Sequence, residues 1–78
     1  MKHSVIVCEY GWIISGIIEN ETENEINLTD GAVVRKWANG KGIGGLAYTE
    51  NKEEYTLDYI GDVIIKQNKV LFVIPCEW

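Results

Sequence analysis

The stretch RKWANGKGIGGLAYT, residues 35–49, contains Gly40-x-Gly42-x-x-Gly45. That spacing cradles a dinucleotide pyrophosphate when it joins a strand to a helix inside a βαβ unit. The residues that follow do not supply such a unit. IGGLAYT is long enough for one or two helical turns, ENKEE reads as a solvated loop, and strand-like runs resume at Tyr55. A chain of 78 residues has no room for a parallel dinucleotide-binding sheet with a substrate domain. A phosphate loop of the Walker type fails too, because Gly45 is followed by Leu46 and not by Lys-Ser or Lys-Thr. The glycines therefore mark a turn in a small β protein.

Outward from that turn the chain reads as mainly β. SVIVCEY (4–10) is β-branched, and Gly11 permits a tight turn or bulge after it. WIISGIIEN (12–20) alternates as a second strand, and the polar ETENE forms a loop. INL (26–28) and AVVRKWA (32–38) read as a third and a fourth strand, separated by the turn signal TDG (29–31). In IGGLAYT, Ile43, Leu46 and Ala47 would share a helical face, although two internal glycines weaken any helix there. YTLDYI (55–60), DVIIK (62–66) and KVLFVIP (69–75) complete the strands, the last two joined at Gln67-Asn68. Pro75 falls near a strand end, where its missing N–H costs least. The expected architecture is one domain over 1–78: a small, curled antiparallel sheet with one short helix, or an SH3-like or Sm-like barrel.

So short a chain hides only roughly 60% of its unfolded surface. Yet 46% of its residues are apolar, so part of that surface is expected to meet another copy or a partner. The net charge of −5 is spread unevenly. Glu19, Glu21, Glu23 and Glu25 form one acidic cluster, and Glu50, Glu53, Glu54 and Asp58 another. No acid occurs between Gly31 and Thr49, where Arg35, Lys36 and Lys41 lie. This balance argues against general nucleic-acid binding, which needs a broad basic surface. It leaves room for a local cationic pocket.

That pocket is the candidate ligand site. If 32–38 is extended, Arg35 and Trp37 alternate onto one face and Lys36 points the other way, with Lys41 on the adjoining loop. Backbone N–H groups at Gly42, Gly44 and Gly45 could hold a phosphate or carboxylate at a helix start, and an indole beside a guanidinium offers a stacking surface. The structural alternative is that Trp37 is core, Arg35 lays its stem along the surface, and the glycines serve packing.

Catalytic and metal-binding constellations are not expected. His3 is the single histidine, placed at an N-terminus expected to fray, so neither a histidine relay nor a metal cluster can be assembled. Cys8 and Cys76 lack a C-x-x-C spacing and read as buried thiols, although their strands could bring them together. Trp12 and Trp78 read as core or interface. No cofactor is expected. No apolar run approaches the ~20 residues a bilayer requires, and the start lacks the pattern of a signal peptide, so a cytoplasmic location without membrane contact is expected.

INLTDGAVVRKWANGKGIGGLAYT, its acidic spacer and the closing VLFVIPCEW resemble a group of small tailed-phage and prophage proteins of unassigned activity. Trp37, Lys41, Gly42, Leu46 and Ala47 carry the likeness, while the acidic insert at 19–25 and the Gly44-Gly45 pair depart from it. The resemblance implies a phage origin, a strand-rich fold and action by stoichiometric binding, including sequestration of host immune signals. Three readings follow. The first is a non-enzymatic homo-oligomer that binds an anionic small molecule such as a nucleotide, as a counter-defence protein. The second is a virion-associated or host-protein-binding factor with no small ligand. The third is a single-stranded nucleic-acid binder in the manner of Sm-like rings.

Overall fold

The computed structural model describes residues 1–78. Five strands form one antiparallel sheet: β1 (Ser4–Cys8), β2 (Ile13–Glu21), β3 (Glu25–Trp37), β4 (Tyr55–Lys66) and β5 (Val70–Pro75). Their spatial order is β4-β3-β2-β1-β5, which leaves β4 and β5 as free edges. β1 pairs with both β2 and β5, and its run SVIVC has no alternation because both its faces are covered. Val5 and Val7 join one apolar cluster, with Val34, Leu46 and Tyr55. Ile6 and Cys8 join a second, with Ile26, Leu28 and Ile65. A strand buried on both sides needs apolar residues at every position.

The sequence suggests seven strands where the structure has five. TDG is not a turn between strands but a bend inside β3, and Gly61 is a bend inside β4. Asp30 takes φ 51° and Gly61 φ 81°, and Gly31 lies opposite Gly61 in the register. At Gly31 an added Cβ would fall 2.6 Å from the Gly61 carbonyl oxygen, so two backbones meet there without side chains between them. The register also shifts around Gly16 in β2, opposite the same region of β3. The three irregularities line up across β2, β3 and β4 as a crease that folds the sheet on itself. The curled form follows from this crease, since an unbent sheet cannot surround two clusters.

Other boundaries also differ from the reading above. Residues 43–47 form a 3₁₀ turn and not an α-helix, which keeps Ile43, Leu46 and Ala47 on the packed side. ENKEE is ordered: Thr49–Glu54 is a second 3₁₀ segment, with Asn51 buried and its amide donating to the Gly45 carbonyl. The N-terminus is tied down. His3 stacks on Trp78 at 4.3 Å between ring centroids, and its Nε2 lies 2.7 Å from Asp30 Oδ2. Trp78 donates its indole N–H to the Leu46 carbonyl (2.7 Å), and the Glu77 N–H reaches Ala47 (2.8 Å), so the chain end clamps the 3₁₀ turns to the sheet. Cys8 and Cys76 are buried and free, but they occupy different clusters at opposite ends of the β1–β5 pair. About four residues of extended chain separate those ends, roughly 13 Å, which no disulfide spans.

Candidate functional site

The cationic window expected to bind a ligand is occupied by its own chain. β3 carries a bulge at Arg35, since Val34 pairs with Leu57 and Lys36 with Thr56. The extra residue breaks the alternation. Arg35 and Lys36 both end up exposed, while Trp37 turns back onto the core beside Tyr55, ring centroids 5.9 Å apart. Arg35 and Trp37 therefore do not share a face. Arg35 Nη1 is bonded to Asp58 Oδ2 at 2.8 Å. Lys41 Nζ donates to Asn51 Oδ1 and to Glu54 Oε2, both at 2.9 Å. Asn39 adds its amide to Glu54 (2.8 Å), and these donors, Lys41 foremost, hold the Glu54 carboxyl below its ordinary pKa.

The glycines of the loop have separate structural tasks. Gly42 takes φ 66° and its carbonyl accepts the Tyr55 hydroxyl. Gly45 is buried so closely that a Cβ would meet the Tyr55 hydroxyl and Lys41 Cβ. Gly44 faces open space. The five-residue 3₁₀ turn here is too short to sum backbone dipoles as a helix does, so the expected helix-start anion site is not built.

Two other features lie at the opposite end of the sheet. The β2–β3 and β4–β5 connections are joined to each other: the Gln67 N–H donates to the Asn24 carbonyl (2.9 Å), and its side-chain amide reaches the Thr22 carbonyl (3.0 Å). Together they enclose a polar mouth of about 610 Å³ lined by Thr22, Glu23, Asn24, Glu25, Lys66 and Asn68. Lys66 Nζ pairs with Glu25 Oε2 at 2.9 Å. Beside the mouth lies an apolar cleft of about 360 Å³, between the β1–β2 turn and the second half of β4. Trp12 lines it and is 59% exposed. Sequence reasoning missed both. The mouth joins residues more than forty positions apart, and nothing in the local sequence separates a Trp12 in the core or an interface from one that lines a cleft.

No protein-family model and no curated protein matches the chain. Solved structures do. A heptameric archaeal Sm protein, described for its implications for the eukaryotic snRNP core, superposes with a TM-score of 0.63 over 95% of this chain and 84% of that one, at 16% identity. The P. aerophilum SmAP1 heptamer superposes with a TM-score of 0.66 over 99% of this chain and 81% of its own, at 15% identity. The chain has the Sm-like fold. Of the architectures the sequence suggested, the Sm-like barrel is the one realised.

Proposed function

We propose that the protein is a non-enzymatic binding module that assembles edge to edge into a closed ring of copies, and that the ring takes single-stranded nucleic acid at the mouths formed by residues 22–25 and 66–68. The observation that carries the assembly is the pair of free edges. β4 and β5 end the sheet on opposite sides. β4 exposes Tyr59 and Ile60, and β5 exposes Leu71, Phe72 and Val73. Uncovered apolar edges invite strand addition. Pairing β4 of one copy with β5 of the next covers both, and a repeated head-to-tail contact closes when its rotation divides a full turn. The heptamers among the structures of the same fold support such closure.

The ligand class rests on the mouth and on the likeness to a protein discussed in terms of the snRNP core, a ribonucleoprotein. Glu23 and Glu25 line the mouth and the chain carries a charge of −5, so phosphate attraction supplies little of the affinity. Asn24 and Asn68 offer paired donors and acceptors that read base edges instead. The salt dependence of binding is accordingly shallow. Binding of an anionic small molecule at the glycine loop is not proposed, because the bulge at Arg35 turns it away from Trp37 and the loop makes only a short 3₁₀ turn. His3, the single histidine, is stacked on Trp78 with its Nε2 on Asp30, and both thiols are buried.

Light scattering on the purified chain tests the assembly: a mass several times 8.8 kDa is expected, falling to the single-chain mass in Phe72→Lys. Anisotropy with labelled oligouridylate and oligoadenylate tests the ligand. Asn24→Ala with Asn68→Ala should weaken binding about tenfold or more with the mass unchanged. A monomeric wild type, or binding that ignores the mouth, overturns the proposal.

A further inference from the structure

We infer that the apolar cleft beside the mouth is a seat for a nucleobase, stacked on Trp12. The inference rests on the ring-and-mouth reading and adds to it a second subsite with different chemistry. The mouth contains no aromatic residue, so a strand held there by hydrogen bonds alone would leave its bases unstacked. The cleft supplies what is lacking. Its floor is Cys8, Ile14 and Val63, and Trp12 and Ile64 stand beside it, 59% and 63% exposed. A chain with so small a core would ordinarily bury an indole, and this one leaves it exposed at the side of an apolar depression of ligand size.

Tyr10 is the second observation. It is 94% exposed and takes φ 62°, ψ 24°, the left-handed region that disfavours a residue with a Cβ. Gly11 follows at φ 78°, so the turn needs two successive left-handed residues. Glycine or asparagine at position 10 would make the same turn with less strain. A phenol ring that touches solvent almost completely does nothing for the fold in exchange. Strain retained beside a cleft points to a use for the ring.

Position and charge select the occupant. Lys66 belongs to both the mouth and the cleft, so one strand can place neighbouring nucleotides in the two. Lys69 stands at the cleft as well. The two lysines pair only with Glu25 and Glu9, at 2.9 and 3.7 Å, and all four side chains are solvent-accessible. Pairs of that kind are held weakly and can be exchanged for phosphate. A planar apolar group carrying an anion matches the site. In the ring the β5 edge of the next copy lies along β4, which is one wall of the cleft, whereas Tyr10 and Trp12 belong to the connection between β1 and β2 on the other side.

The test uses the full chain with the same short oligouridylate and oligoadenylate, read by anisotropy and by quenching of tryptophan emission. Trp12→Leu is expected to weaken binding about tenfold, the scale of one lost base stack, with ring mass unchanged. Tyr10→Gly removes the ring while relieving the turn, so it should weaken binding and leave the melting temperature equal or higher. Photocrosslinking with bromouridine should map to Trp12 or Tyr10. Wild-type affinity in both variants overturns the base seat and leaves the ring and mouth standing. Trp12 shielded from acrylamide in the ligand-free assembly also overturns it, because a second copy then fills the cleft. Wild type that binds neither probe removes the reading beneath it as well.

Discussion

At Gly31 a Cβ would lie 2.6 Å from the Gly61 carbonyl oxygen and 2.7 Å from Val63 Cγ2. Gly31→Ala should therefore force β3 and β4 apart and cost about 2–3 kcal/mol in a urea titration. Gly44 faces open space with an ordinary backbone, so Gly44→Ala should raise stability by about 0.5–1 kcal/mol through the unfolded chain. Glu54 sets a pH dependence. Its folded pKa is lowered by Lys41 and Asn39, so its contribution is complete above the ordinary value near 4.5 and is lost as pH falls through the lower folded value. Hydrogen-exchange protection factors across residues 39–47, referred to the intrinsic rate at each pH, should fall in that acid range, and Glu54→Gln should show the lower protection already at neutral pH. The Cys76 thiol is pushed by burial up to about 11, and Cys8 is raised by the same cause. Well below the ordinary thiol value of 9.0 both are neutral in either state and stability is unaffected. Between there and about pH 11 the unfolded chain alone ionises and stability falls. Thiol reagents at pH 8 should label neither residue until denaturant is added.

Among the elements, alternation and β-branching made the strands readable, and the apolar face of residues 43–47 was readable from its spacing. The joins between strands were not. Asp-Gly and an isolated glycine report only that the backbone needs positive φ, and a chain reversal and a bend in a long strand satisfy that need equally. The difference lies in the partner: Gly31 bends because Gly61 bends opposite it, thirty residues away. The surroundings of the cationic window were hidden for a related reason. Its three cations are local, but the carboxylates that hold Arg35 and Lys41 sit on β4 and on the segment before it. The terminal clamp was equally hidden, because Trp78 acts through His3, Leu46 and Lys52, whose ammonium lies 4.2 Å from the indole centroid. Trp78→Ala should cost about 2–3 kcal/mol and loosen residues 43–54 before the strands, visible as early exchange in that segment.

For the molecule as a whole, edge geometry and charge act at different ranges. In the ring proposed above, edge pairing would be short-ranged and apolar, whereas the net charge of −5 on each chain would hold separate rings apart. Raising salt should thus leave the mass of one assembly unchanged and promote association between assemblies, measurable by sedimentation velocity. The pairing of β1 with β5, from Ser4 with Pro75 to Cys8 with Val70, has a further consequence. Of the five strands, the one made first on the ribosome is interior to the sheet, and its second partner is the one made last. Until β5 leaves the exit tunnel, the most apolar strand of the nascent chain has one side bare. A message truncated before the codon for Val70 would yield a product with that side permanently open, a natural target for chaperones and proteolysis.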